Sequence, residues 1–122
     1  MKVLHVLAQL PVKTGSGVYF TNVIDGLKNY EVEQAAIYGT TPEYEFNILD
    51  TVYEVEFEGK DIDFPIVGMS DVMPYNNTLY KNMSENMMTT WQNAFREKLL
   101  KAKEEFKPDV VITHHLWILS SI

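Results

Sequence analysis

The sequence predicts an α/β fold built on an open, mainly parallel sheet flanked by helices, and three observations carry that expectation. Val3 to Leu10 (V-L-H-V-L-A-Q-L) is a mostly apolar run of strand length, as a strand buried on both faces requires. The turn residues Thr14, Gly15, Ser16 and Gly17 then lead directly into a helical pattern, which is the opening of a βαβ unit. A second buried-type run, Asp109 to Thr113 (D-V-V-I-T), follows the longest amphipathic stretch of the chain.

The elements follow in order. Pro11 ends the first strand, and Val18, Val23, Ile24 and Leu27 lie close to helical spacing in a segment that Tyr30 closes. Gln34 to Tyr38 (Q-A-A-I-Y) reads as a second strand ended by Gly39, and Thr40 to Asp50 as irregular. Val52 to Phe57 alternates, as a half-exposed strand does, and Gly59-Lys60-Asp61 is a turn before a short extended piece over Ile62 to Val67. Met69 to Tyr75 is a loop rich in large side chains. From Asn76 to Phe106, Tyr80, Met83, Met87, Trp91, Phe95, Leu99, Ala102 and Phe106 form one apolar stripe. At about 1.5 Å per residue such a helix would span about 45 Å, so a break at Ser84, an internal N-cap candidate, is expected. Pro108 terminates it.

A chain of 122 residues suits one domain, here residues 1–122, with 46% hydrophobic and 22% charged residues, ordinary for a globular protein. Lys2 and the apolar run after it imitate a leader peptide, but Pro11, Lys13 and the glycines arrive too early, so a buried strand is the better reading. No stretch reaches the roughly 18 to 20 apolar residues of a membrane span. With no cysteine, thiolate catalysis, disulfides and zinc–sulfur sites are excluded, and a reducing, cytoplasmic setting is the expectation. A net charge of −7 disfavours nucleic acid and anionic membrane surfaces as general partners.

Candidate site residues fall in three places. Gly15, Ser16 and Gly17 stand where backbone N–H groups at a helix start hold a phosphate or sugar; the alternative is a plain turn. A dinucleotide fingerprint starting at Gly15 would need a third glycine where Phe20 stands, and no P-loop Gly-Lys-Ser/Thr follows, so neither NAD nor ATP is expected in its usual mode. His114 and His115 end a strand whose carboxyl end faces the ligand crevice. Adjacent residues of an extended chain point to opposite faces, so at most one of the two looks into it. No third ligand at sensible spacing accompanies them, so no metal is expected. His5, in mid-strand, is expected in the core. The loop carrying Met69, Ser70, Asp71, Met73 and Tyr75 either lines a pocket or covers a sheet edge.

Three segments, K-V-L-H-V-L-A-Q-L-P-V-K-T-G-S-G-V-Y, P-I-V-G-M-S-D-V-M-P-Y and P-D-V-V-I-T-H-H-L-W, occur in an order that resembles a bacterial glycosyltransferase of the two-domain GT-B architecture. The similarity is to the nucleotide-sugar-dependent, retaining branch that includes sucrose-phosphate and mannosyl transferases. It implies a Rossmann-like N-terminal domain that holds the acceptor, here without its donor-binding partner domain and therefore not catalytic alone. By that resemblance Gly15, Ser16 and Gly17 would close over the donor's phosphate and sugar. Met69, Ser70, Asp71, Tyr75, His114 and His115 would face a sugar or polyol acceptor, with His115 the one candidate for a catalytic contribution. The nucleotide-sugar is the donor substrate, no metal or other cofactor is implied, and backbone amides with basic groups would offset the leaving diphosphate's charge. The alternative is a stand-alone α/β module that binds an anion or a protein. In either case the apolar strand Asp109 to Thr113 is expected to pair two copies into a homodimer.

Overall fold

The computed structural model describes residues 1–7, 10–11, 15–42, 48–65, 67–68, 78–79 and 83–114. Along the chain run β1 (Lys2–Leu7), α1 (Gly15–Leu27), β2 (Glu33–Thr40), β3 (Val52–Glu56), β4 (Val67–Gly68), β5 (Thr78–Leu79), α2 (Glu85–Glu105) and β6 (Val110–Thr113). Four strands form one all-parallel sheet in the order β3-β2-β1-β6, and β4 and β5 form a separate parallel pair. This is the expected α/β architecture.

Alternation along the strands assigns the two faces. Leu4, Val6, Ala35, Ile37, Tyr53 and Val55 share a core with Trp91, Phe95 and Ala102 of α2. Leu7, Ala36 and Tyr38, one residue out of step, pack instead with Phe20 and Ile24 of α1. The sheet thus lies between its two helices, and β1 and β2 are buried almost throughout because both faces are covered.

Three expectations are corrected. The helix expected from Asn76 begins at Glu85: Ser84 is extended (φ −75°, ψ 168°), its Oγ accepts the Met87 N–H at 3.2 Å, and Thr78–Leu79 upstream is strand β5. What reads as an internal break is therefore the helix start, because the hydroxyl satisfies an N–H that has no intrahelical partner. Of the extended piece expected over Ile62 to Val67, residues 62–65 are bends and irregular backbone, and Val67 opens β4. The Glu56 N–H donates to Asp61 Oδ2 at 2.9 Å and the Ile62 N–H to the Glu56 carbonyl at 3.0 Å, folding the chain back so that Ile62 and Phe64 join Phe57 in the core. Finally, β6 is an exposed edge rather than a buried strand, with Val110 39% and Val111 51% accessible.

At its other end α2 closes on Phe106, whose N–H donates to the Ala102 carbonyl, and Lys107 turns the chain out at φ 54° ahead of Pro108. Ser84→Ala is expected to cost about 1 kcal/mol in urea unfolding, the usual value of an N-cap hydroxyl. An unchanged midpoint would mean that tertiary packing alone sets the start of α2.

Candidate functional site

From β1 the chain adds β2 and then β3 on one side, and α2 then carries it back across the sheet to β6 on the other. The sheet therefore changes its direction of growth between β1 and β6. Side chains and loops splay apart at the carboxyl ends of two such strands, which makes this the place where open α/β sheets bind ligands. In a parallel βαβ unit the helix runs back against its strand, so α1 starts at that same end of β1.

Gly15, Ser16 and Gly17 form the first turn of α1, and Gly17 is buried. No acidic side chain stands in that turn to oppose an anion at the positive end of the helix dipole. Phe20, at the position of the third glycine of a dinucleotide fingerprint, is fully buried, its ring 6.3 Å from that of Tyr38. A phenyl ring between α1 and the sheet occupies the space that close helix–strand packing would need.

From the opposite wall, β6 delivers His114. Its N–H donates to the Val6 carbonyl at 3.1 Å, continuing the β1–β6 ladder by one residue. The half-buried imidazole sits edge-on to Phe20 at 4.9 Å between centroids and 6.0 Å from Tyr19, both on α1. His114 thus lies against α1 beside Tyr19 and Phe20. His115, Met69, Ser70, Asp71, Met73 and Tyr75 lie outside the described residues.

Beneath His114, with ring centroids 6.0 Å apart, lies His5, fully buried as expected of a core histidine. Gln34 fixes its tautomer. The Gln34 Nε2 donates to the Ile24 carbonyl at 3.1 Å, which leaves Oε1 to accept the His5 Nε2–H at 2.8 Å. The proton then resides on Nε2, and Nδ1 presents a lone pair that has no hydrogen-bond partner among the described residues. Burial pulls the His5 pKa below the usual 6.5, and the Gln34 hydrogen bond only partly opposes this. His5 is neutral at pH 7 and makes an uncharged floor for the crevice.

Sequence reasoning missed two features near the site. Gln34 opens a buried strand with a polar residue, and that is the signal that could have announced a buried hydrogen-bond partner. The phenol of Tyr38 donates to Glu54 Oε2 at 2.7 Å across the β2–β3 pair, and its pKa is pushed far up by burial and by that carboxylate. Among the described residues no cluster of three histidine, aspartate or glutamate side chains could hold a metal ion, and no helix is long and apolar enough to cross a membrane. No protein-family model, curated protein or solved structure matches the chain.

Proposed function

We propose that the chain is the acceptor-side domain of a nucleotide-sugar-dependent glycosyltransferase of the GT-B kind, with the crevice between β1 and β6 as its binding site. The observation that supports this reading best is the contact of His114 with Tyr19 and Phe20 of α1 at the topological switch point. A helix start free of acids suits the phosphate and sugar of a donor, and an imidazole at the opposite wall suits the hydroxyls of a sugar or polyol acceptor. The order of the three resembling segments supports it from the sequence side. Tyr19, exposed beside His114, gives an aromatic face for a sugar to stack on.

Titration with simple sugars, sugar phosphates and polyols, followed by amide NMR, tests the reading. Shifts are expected at Gly17, Tyr19 and His114, with affinities weaker than about 1 mM, corresponding to roughly 4 kcal/mol. Gly17→Val, which puts a β-branched side chain into the turn, is expected to abolish them. A nucleotide-sugar dissociation constant on the order of a micromolar, about 8 kcal/mol, would contradict an acceptor-side domain. Shifts confined to the far side of the sheet would overturn the choice of crevice.

The second reading, a stand-alone module that pairs with protein, is favoured by one observation, the outer edge of β6. The β3 edge carries Glu54 and Glu56, whereas Val110 to Thr113 has no charge to discourage pairing. Two copies joined antiparallel through β6 would extend the sheet across a two-fold axis, while the net charge of −7 opposes open-ended association. Light scattering on an eluting peak at tens of micromolar is expected to return twice the 14.1 kDa chain mass, and Val111→Lys to return the single mass. A monomer in both cases removes this reading.

A further inference from the structure

On the α2 face of the sheet an open groove of about 580 Å³ runs between α2 and β6. Leu4 and Val111, register partners on β1 and β6, line it together with Leu99 and Leu100, and Lys103 and Lys107 stand on its rim. Leu100 is 54% exposed and Val111 51%, so apolar surface lies open where a helix flank meets an edge strand. We propose that this groove binds a single-chain aliphatic carboxylate, with its tail along Leu4, Leu100 and Val111 and its head between Lys103 and Lys107.

Charge selects the head group. The chain carries a net charge of −7, yet the groove side of α2 is basic. Arg96, Leu100, Lys103 and Lys107 follow one another at steps of four, three and four, which is one line of a helix, and Glu97, Glu104 and Glu105 lie off it. Among the described residues the ion pairs are Lys2 with Glu33 and Lys28 with Asp25, and no carboxylate pairs with Arg96, Lys103 or Lys107. A helix dipole accounts for cations in the last turn alone, and Arg96 stands well before the helix end at Glu105. Lys107 adopts φ 54°, the left-handed position after a helix that glycine ordinarily fills. Lysine there strains the backbone and sets an ammonium on the groove rim.

Size selects the tail. Small-molecule sites run to about 300–1,000 Å³ and are mostly apolar, with a few polar groups that fix orientation, and this groove has that make-up. From Leu99 to Lys107 the groove wall is about 12 Å long at roughly 1.5 Å per residue. An extended alkyl chain of about ten carbons, with bonds of about 1.5 Å in zigzag, has a similar length. A partner helix about 10 Å across would fill on the order of 900 Å³ over the same distance, more than the groove holds. The outer backbone edge of β6 is not part of the groove, so the proposal depends neither on strand pairing between copies nor on the glycosyltransferase reading.

Amide NMR titration with sodium decanoate decides the matter. Saturable shifts are expected at Leu99, Leu100 and Val111, with a dissociation constant below about 1 mM. Octanoate, two methylenes shorter, is expected to bind several-fold more weakly, because each buried methylene adds to the affinity. Lys103→Glu is expected to weaken decanoate binding by roughly tenfold or more, since it sets a carboxylate against the head group. Lys103 and Leu100 are both exposed, so Lys103→Glu and Leu100→Glu leave the core intact, and the second is expected to remove the tail's contact. Equal affinity in Lys103→Glu and the native chain overturns the proposal, as does equal affinity for the two carboxylates. A dissociation constant above about 1 mM overturns it too. Shifts of the same amides on dilution without ligand would also overturn it, by assigning the groove to a second copy.

Discussion

Trp91→Ala is expected to remove about 3–5 kcal/mol of stability, the range for truncating a fully buried aromatic. Trp91 is completely buried on the sheet-facing side of α2, with Phe95 edge-on at 6.4 Å and Phe57 beyond it at 6.1 Å from Phe95. These rings join α2 to Leu4, Ile37 and Val55, so they hold one whole layer of the domain. Total stabilities run to about 5–15 kcal/mol, and a loss of this size puts the variant near its unfolding midpoint without denaturant. Urea unfolding followed by far-UV circular dichroism reads the change. Trp91→Phe, which keeps an aromatic ring in the same space, should lose markedly less. A loss under about 1 kcal/mol in the alanine variant would mean that α2 does not depend on this packing.

Acid is expected to weaken the domain through His5. The sign follows from its depressed pKa: the folded chain keeps His5 neutral, while the unfolded chain binds a proton once the pH falls below about 6.5. The contribution of the neutral buried ring is therefore full above that value. It is lost as the pH drops from there toward the lowered folded-state pKa, at a slope of up to about 1.4 kcal/mol per pH unit. Among the described residues, Gln34, Phe20 and His114 face the ring, and none is an acid that could hold the protonated form. Unfolding free energies between pH 7.5 and 5 measure the slope. His5→Gln, with no group to titrate, should flatten it, and an identical slope in the variant would move the acid sensitivity elsewhere.

At the crevice, the position of the glycine turn was legible because a strand, a glycine pair and a helix in close succession can be joined in few ways. His114 was legible as the end of an apolar strand. Its neighbours were not. That Tyr19 and Phe20 close on His114, and that His5 lies under it, depends on β6 pairing with β1 over a sequence separation of about a hundred residues, which no local pattern encodes. Gln34 as the partner that sets the His5 tautomer depends likewise on the parallel register of β1 and β2.

By itself the sequence determined the α/β class, the first βαβ unit, the inner face of α2 and the burial of His5, since apolar periodicity and turn residues act over a few neighbours. The tertiary structure decided the rest. Ser84 became a helix start and not an interruption, because β4–β5 pairing and a satisfied cap outweigh the continued apolar stripe. Ile62 and Phe64 became core residues because the chain folds back on Glu56, whose N–H donates to Asp61 and whose carbonyl accepts the Ile62 N–H. D-V-V-I-T became an exposed edge because burial depends on what lies beside a strand, and a strand's own composition does not contain its neighbours.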